Sequence, residues 1–273
     1  MDVLKKVPVR EQAPDVRNKN FEEVCLGYNM EEAQEEATRC INCKNAQCIK
    51  GCPVSINIPG FVHEVKEGNI EEAYKIISQS SALPAVCGRV CPQESQCEGK
   101  CIRGFKGEPI SIGKLERFVA DYAREHNIKP QPATEKKGKK VAVIGSGPSG
   151  LAVADQLNKR GHSVTVYERD DRVGGLLMYG IPNMKLEKHV IDRKVNIMKE
   201  EGIKFITGVN VGKDIKASVL LKQYDKVVLA CGSRNPRDIK AEGRDAKGIY
   251  FAVDFLTSTT KSLLDNDLKE GTF

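Results

Sequence analysis

Eight of the ten cysteines fall into two dense runs, Cys40-x2-Cys43-x4-Cys48-x3-Cys52-Pro53 and Cys87-x3-Cys91-Pro92-x4-Cys97-x3-Cys101. Thiolates are soft ligands, and runs this dense hold iron–sulfur clusters or zinc. A four-iron cluster is gripped by closely spaced cysteines in one loop, and Cys40, Cys43 and Cys48 have that spacing. In two-cluster ferredoxins the cysteine just before a proline ligates the other cluster. By that logic Cys52 leaves the first cluster for a second one. The second run returns the exchange: Cys101 completes the first cluster, while Cys91 and Cys97 bind the second. One position on the second cluster is left to Cys87 or to another residue, and spacing does not choose between them. Zinc sites usually show two Cys-x2-Cys pairs, or Cys together with His. Here there is a single Cys-x2-Cys, and His63, His126, His162 and His189 all lie outside the runs. The zinc alternative would make the chain a non-enzymatic zinc-stapled interaction module fused to a nucleotide-binding fold. Cys231 ends an apolar strand and reads as a small core residue. Cys25 has no partner in sequence and receives no role.

The second chemical signal is Gly145-Ser146-Gly147-Pro148-Ser149-Gly150, preceded by the β-rich run Val141–Ile144 and followed by a helical pattern to about Gly161. In such a loop the first glycine permits a tight turn. The second admits a pyrophosphate close to the backbone, and the third lets the helix pack on the strand. The helix N-terminus adds free N–H groups and a partial positive charge. Glu168 ends the next strand, 18 residues after Gly150, where an acid hydrogen-bonds an adenosine ribose. An acid there argues against a 2′-phosphate, leaving FAD or NAD. No side chain is assigned a catalytic role, because a cofactor would carry the chemistry.

These signals need elements to position them. Residues 1–28 read as an N-terminal arm, extended and polar over its first twenty residues. A helix starts at Asn29 and runs to about Arg39. Two helical patterns between Pro59 and Ser80, broken at Gly68-Asn69, place Phe61, Val62, Val65, Ala73, Ile76 and Ile77 on apolar faces. A further helix carries Ile112, Leu115, Phe118, Val119 and Tyr122 on one face. Leu83 to Gly104 reads as a ligand loop. Residues 129–140, with two prolines, a glycine and a lysine cluster, read as a surface linker. The domains are then 29–135, helical and cluster-binding, and 136–273, dinucleotide-binding. In the latter, strands expected at 141–144, 163–167, 204–207 and 226–230 alternate with helices, the signature of a parallel sheet. The net charge is only +6, with lysines spread along the chain. No arginine-rich stripe is interleaved with aromatics, so a nucleic-acid partner is not expected. No apolar run is long enough for a membrane span and no signal peptide is seen. With that, the dense thiol array points to a reducing, cytoplasmic compartment.

Four segments carry a resemblance: Cys43-Lys-Asn-Ala-Gln-Cys48-Ile-Lys-Gly-Cys52-Pro-Val54, Pro84-Ala-Val-Cys-Gly-Arg-Val-Cys-Pro-Gln93, Ile112-Gly-Lys-Leu-Glu-Arg-Phe118 and Arg172-Val-Gly-Gly-Leu-Leu-Met-Tyr-Gly-Ile-Pro182. Over roughly residues 20–270 the chain resembles the glutamate synthase small (β) subunit family. That family includes the NADPH-binding subunit of NADH-dependent ferredoxin:NADP oxidoreductase and the N-terminal part of dihydropyrimidine dehydrogenase. The resemblance implies an α-helical domain with two 4Fe-4S clusters, followed by an α/β Rossmann-like FAD-binding domain. It also implies NADP(H) as a ligand of the full-length protein. It implies Glu116 as the open ligand of the second cluster, with Cys87 a spare thiol packed nearby. For FAD it implies the pyrophosphate on Gly145–Gly150, the ribose on Glu168, contacts at Gly175 and Leu176 toward the flavin, a basic contact from Lys185 and the adenine at the backbone of Val211. Electrons would pass between NAD(P)H, FAD, the clusters and a partner, either a glutamate synthase large subunit or a second flavoprotein, with ferredoxin as a possible partner. The family's second glycine motif does not occur before Phe273, so the chain is expected to be an N-terminal part with an incomplete FAD domain.

Overall fold

The computed structural model describes residues 2–130, 135, 138–233 and 235–270. The chain forms two compact units, Met1–Pro132 with Met184–Leu186, and Ala133–Asn183 with Glu187–Phe273. Half of the expected linker, residues 131–134, 136 and 137, lies outside the described residues.

In the first unit, β1 (Arg10–Glu11) and α1 (Pro14–Arg17) lead to β2 (Cys25–Gly27), which pairs antiparallel with β1. The first residues are therefore not simply an extended arm. They are tied down by a buried carboxylate, since Val7 N donates to Glu36 Oε2 at 2.8 Å. α2 (Met30–Thr38) starts on Asn29, whose side chain accepts from Glu32 N while the Glu32 side chain accepts from Asn29 N. This reciprocal cap satisfies two otherwise orphaned donors. α3 (Gln47–Gly51) lies inside the first cysteine run. α4 (Ile58–Glu67) and α5 (Ile70–Ser80) are separated at Gly68-Asn69, and Gly68 takes the left-handed conformation that ends α4.

α6 (Pro84–Val90) corrects the expectation of a loop from Leu83 to Gly104. Gly88 at its centre weakens the helical signal in sequence, but Pro84 at the first turn starts the helix. Only short turns at Gln93–Ser95, Glu98–Lys100 and Ile102–Phe105 follow before α7 (Ile112–Glu125). Phe61, Val62, Val65, Ala73 and Ile77 form one core with Leu115 and Val119 of α7.

Two buried ionic groups brace this core. Arg39 and Glu36, both fully buried, pair at 2.5 Å. Arg39 also donates to the Glu108 carbonyl, and Ser111 N donates to Glu36. Arg89 of α6 pairs with Glu23 at 2.6 Å and Asp121 at 2.8 Å, and Arg117 of α7 reaches the same two acids. Each buried charge is thus compensated more than once, as burial demands.

The second unit is a parallel sheet ordered β5-β4-β3-β6. β3 (Lys140–Ile144) leads through α8 (Pro148–Lys159) to β4 (Ser163–Tyr167). α9 (Leu176–Tyr179) and α10 (Lys188–Glu200) precede β5 (Lys204–Ile206). α11 (Ala217–Gln223) precedes β6 (Lys226–Leu229), and α12 (Ala252–Asn266) ends the described chain. The chain builds outward from β3 through β4 to β5, then returns to the other side of β3. Its carboxyl end is thus the switch point where open α/β sheets bind ligands.

Gly88 fixes the closeness of α6 and α7: a Cβ there would stand 2.5 Å from Arg117 N. Gly88→Ala should cost about 1–3 kcal/mol through overpacking, read as a lowered melting temperature. An unchanged melting temperature would mean the helices have slack.

Candidate metal centres and dinucleotide loop

The structure sorts the cysteines into two groups. Cys40 follows α2, Cys43 lies in the turn shaped by Asn42 at φ 48°, Cys48 is in α3 and Cys101 lies between two short turns. These four line one cavity of about 640 Å3, walled by Ile58, Pro59, Val62, Ile110 and Ile112. Burial, with the charges of Cys101 and Cys40, pushes the Cys48 thiol up to about 11. Burial and the charges of Cys101 and Cys43 also raise Cys40, against an opposing pull from Arg103. Burial in this apolar cavity thus disfavours the thiolates of Cys40 and Cys48, and a cationic iron centre would remove that cost.

The second group forms where α3, α6 and α7 converge. Cys52 ends α3, Cys91 ends α6, and Cys97 is buried between two turns. Burial raises Cys97 to about 12, helped by the charges of Glu98, Glu116 and Cys52. Glu116 of α7 is only 7 % exposed, and its Oε1 has no hydrogen-bond partner among the described residues. Burial, then the Cys91 charge, lifts its carboxyl to about 8. A buried carboxylate without a partner is costly. Three thiols and this oxygen are a donor set that an iron–sulfur cluster would satisfy. Among the described residues, no three His, Cys, Asp or Glu side chains meet at the spacing of one metal ion. A polynuclear cluster, in which each iron takes its own ligand, needs no such meeting.

Cys87 lies beside this group. Its thiol donates to Cys91, which lowers Cys91 to about 7 and pushes Cys87 up. Ser81 Oγ stands 4.0 Å from the Cys87 sulfur. Cys25 is half-buried on β2. Cys231 is exposed, not the core residue expected, because β6 stops at Leu229 and the chain leaves the sheet before it.

In the second unit the glycine loop has the geometry its sequence asks for. Gly145 sits at φ 102°, and a Cβ there would strike the Ala230 carbonyl at 2.4 Å. A Cβ on Gly150 would lie 2.0 Å from Gly145 O, whereas Gly147 faces open space within 4 Å. Turn, close helix packing and an open approach are thus divided among the three glycines. Pro148 occupies the first turn of α8, with Ser149 beside it, leaving the helix N-terminus as an anion site. Glu168 is buried and binds the loop itself: Oε2 accepts from Ser146 N at 2.9 Å and Ser146 Oγ at 2.5 Å, and Oε1 accepts from Asp170 N. Gly174 N donates to Ser146 Oγ. Gly175, at φ 54°, stands so close to Gly147 that a Cβ would meet Gly147 Cα at 2.9 Å. Leu176 follows, exposed. Val211 is half-buried in the segment after β5, which is anchored where Val209 N donates to the Glu168 carbonyl. Lys185 is exposed and belongs to the 184–186 stretch of the first unit.

The buried lysine of this region is Lys188, which sequence reasoning passed over. Its Nζ donates to the Leu177 and Ile181 carbonyls at 3.1 and 2.5 Å. Burial lowers it to about 8. The signal was its register: Lys188, Ile191, Val195 and Met198 share the buried stripe of α10.

A helical domain that gathers four thiols in one place and three thiols with a buried carboxylate in another, followed by a dinucleotide-binding parallel sheet, defines a 4Fe-4S domain joined to a dinucleotide-binding domain. Comparison with known proteins agrees. Residues 17–128 match the family of dihydropyrimidine dehydrogenase domain II, 4Fe-4S cluster, and residues 111–223 and 139–269 match pyridine nucleotide-disulphide oxidoreductase. The glutamate synthase (NADPH) small chain of Bacillus subtilis is 41% identical over 100% of this chain and 57% of its own length. The corresponding small chain of Azospirillum brasilense is 38% identical over 93% and 53%. Glutamate synthase (NADH) of Schizosaccharomyces pombe is 44% identical over 95% of this chain and 12% of its own. The chain belongs to the pyridine nucleotide-disulphide oxidoreductase family, is similar to glutamate synthase small chains, and spans about half the length of those it matches.

Lys188 yields a pH test. Its native pKa lies below the ordinary 10.5, so between about pH 8 and 10.5 the unfolded chain holds a proton that the native chain has released. Stability from this group therefore rises with pH across that window. Lys188→Met should lose that rise, measured as urea midpoints near pH 8 and pH 10 (about,) against the parent. Parallel profiles would show that Lys188 is charged in the native state.

Proposed function

We propose that the chain is the electron-transfer part of an NAD(P)H-dependent oxidoreductase subunit, passing electrons between NAD(P)H, FAD and two 4Fe-4S clusters to a partner. In this reading Cys40, Cys43, Cys48 and Cys101 hold the first cluster. Cys52, Cys91, Cys97 and Glu116 hold the second. Ile58, Val62 and Ile110 keep water from the first site. The loop Gly145 to Gly150 receives the FAD pyrophosphate on the α8 N-terminus. Glu168 locks that loop through Ser146 and has lone pairs left for the ribose. Gly175, Leu176 and Val211 are the further FAD contacts of this reading. Bound FAD supplies the conversion between hydride and single-electron transfer.

The domain limits we propose are residues 1–28, 29–135 and 136–273. The partner is a glutamate synthase large subunit or a second flavoprotein, with ferredoxin a further acceptor, and the compartment is the cytoplasm. No helix among the described residues is long and apolar enough to cross a membrane. The observation that carries the reading is the second donor group, in which three thiols meet a buried carboxylate oxygen without a protein partner.

Anaerobically purified protein should contain about eight irons and about eight acid-labile sulfides per chain, the content of two four-iron clusters. Cys43→Ala should lower both by about half. Zinc without sulfide would end this reading and leave the zinc-stapled module.

A further inference from the structure

The second site offers five donors where four are needed. Cys87 is the fifth, and its surroundings set it apart from a packing residue. It lies on α6 one turn before Cys91, and its thiol donates to the Cys91 sulfur. Glu116 Oε1 is buried and has no hydrogen-bond partner among the described residues. Gly88 and Arg117, the residues that follow Cys87 and Glu116, lie where α6 and α7 approach closely, since a Cβ on Gly88 would stand 2.5 Å from Arg117 N. Cys87 and Glu116 are therefore held at the same crossing, on facing helices that the Arg89 and Arg117 ion pairs clamp together. Neither can drift away from the other.

The two donors differ in kind. Iron in a sulfide cluster prefers thiolate to carboxylate, so the oxygen position is where an iron is most easily lost.

Resting on the function proposed above, we propose that Cys87 is a reserve ligand of the second cluster, taking the iron position of Glu116 so that the fourth iron is kept when the carboxylate lets go. In the exchange one iron–oxygen bond breaks and one iron–sulfur bond forms. The thiol proton passes to the freed carboxylate oxygen, and no electrons change hands. The site thereby alternates between three thiolates with one carboxylate and four thiolates.

The test uses cluster-loaded protein under anaerobic conditions and reads iron content together with the EPR signal of a three-iron cluster. Under pulses of ferricyanide, Cys87→Ser should shed the fourth iron of the second cluster about tenfold faster than the parent, the lower end of the range for losing a supporting residue at a metal site. Equal rates would overturn the proposal. Glu116→Ala should retain a four-iron second cluster with an altered EPR spectrum, and only Glu116→Ala with Cys87→Ser should drop to three irons. A Glu116→Ala protein that already matches the double variant would overturn it as well. So would loss of the second cluster from unoxidised Cys87→Ser, which would make Cys87 the resident ligand. Failure of the underlying reading looks different, because the parent protein would then hold no sulfide. Should Glu116→Ala fail to fold, the oxidation rates of Cys87→Ser still decide.

Discussion

A carboxylate buried with an unpartnered oxygen is the constraint on which the first unit turns. Such a group must stay neutral, find a cation or destabilise the fold. Glu116 lies on a 14-residue helix whose opposite contacts are the core residues Leu115 and Val119, so it cannot swing to solvent without unpacking that core. What surrounds it is a set of thiols, among which the same burial pushes up Cys97. Each group alone is a liability in an apolar interior. Together they make a site whose stability depends on the metal it holds, so folding and cluster assembly become one event.

Charge elsewhere in the unit serves that arrangement. Arg89 precedes Cys91 by two residues and Arg117 follows Glu116, and both reach for Glu23 and Asp121. Four charges compensate one another across α6, α7 and the segment before β2. They fix the spacing of the helices that carry the donors. The Glu36–Arg39 pair does similar work beside the first site, joining α2 to residues 108–111 and to the N-terminal residues through hydrogen bonds at both carboxylate oxygens. Polar groups so fully satisfied define one arrangement of the backbone, which ligands set fractions of an ångström apart require.

Much of this was legible in the sequence, and for specific reasons. The Cys52-Pro53 step suggested that Cys52 leaves its own run, with Cys101 making the return exchange, and in the structure Cys101 lies near Cys40 and Cys48, and Cys52 near Cys97. The glycine loop was legible because each glycine answers a separate steric demand. Other features were hidden. Glu116 reads as a solvated helix carboxylate, and only the resemblance singled it out. α6 was missed because Gly88 looks like a breaker until the backbone of α7 is seen against it. Glu168 was expected to face a ribose, but in the folded chain it also secures Ser146 and Asp170, a local role that spacing cannot reveal. Lys188 was given no role, although it occupies a core position of α10.

The central claim is that the second site binds a four-iron cluster through three thiolates and the Glu116 oxygen. Mössbauer spectroscopy of protein enriched in iron-57 tests it most directly, because each iron reports its own ligand. The account predicts one iron in about eight with the isomer shift of an oxygen ligand, a component that disappears in Glu116→Cys. A spectrum in which every iron is thiolate-ligated, and which Glu116→Cys leaves unchanged, would contradict it.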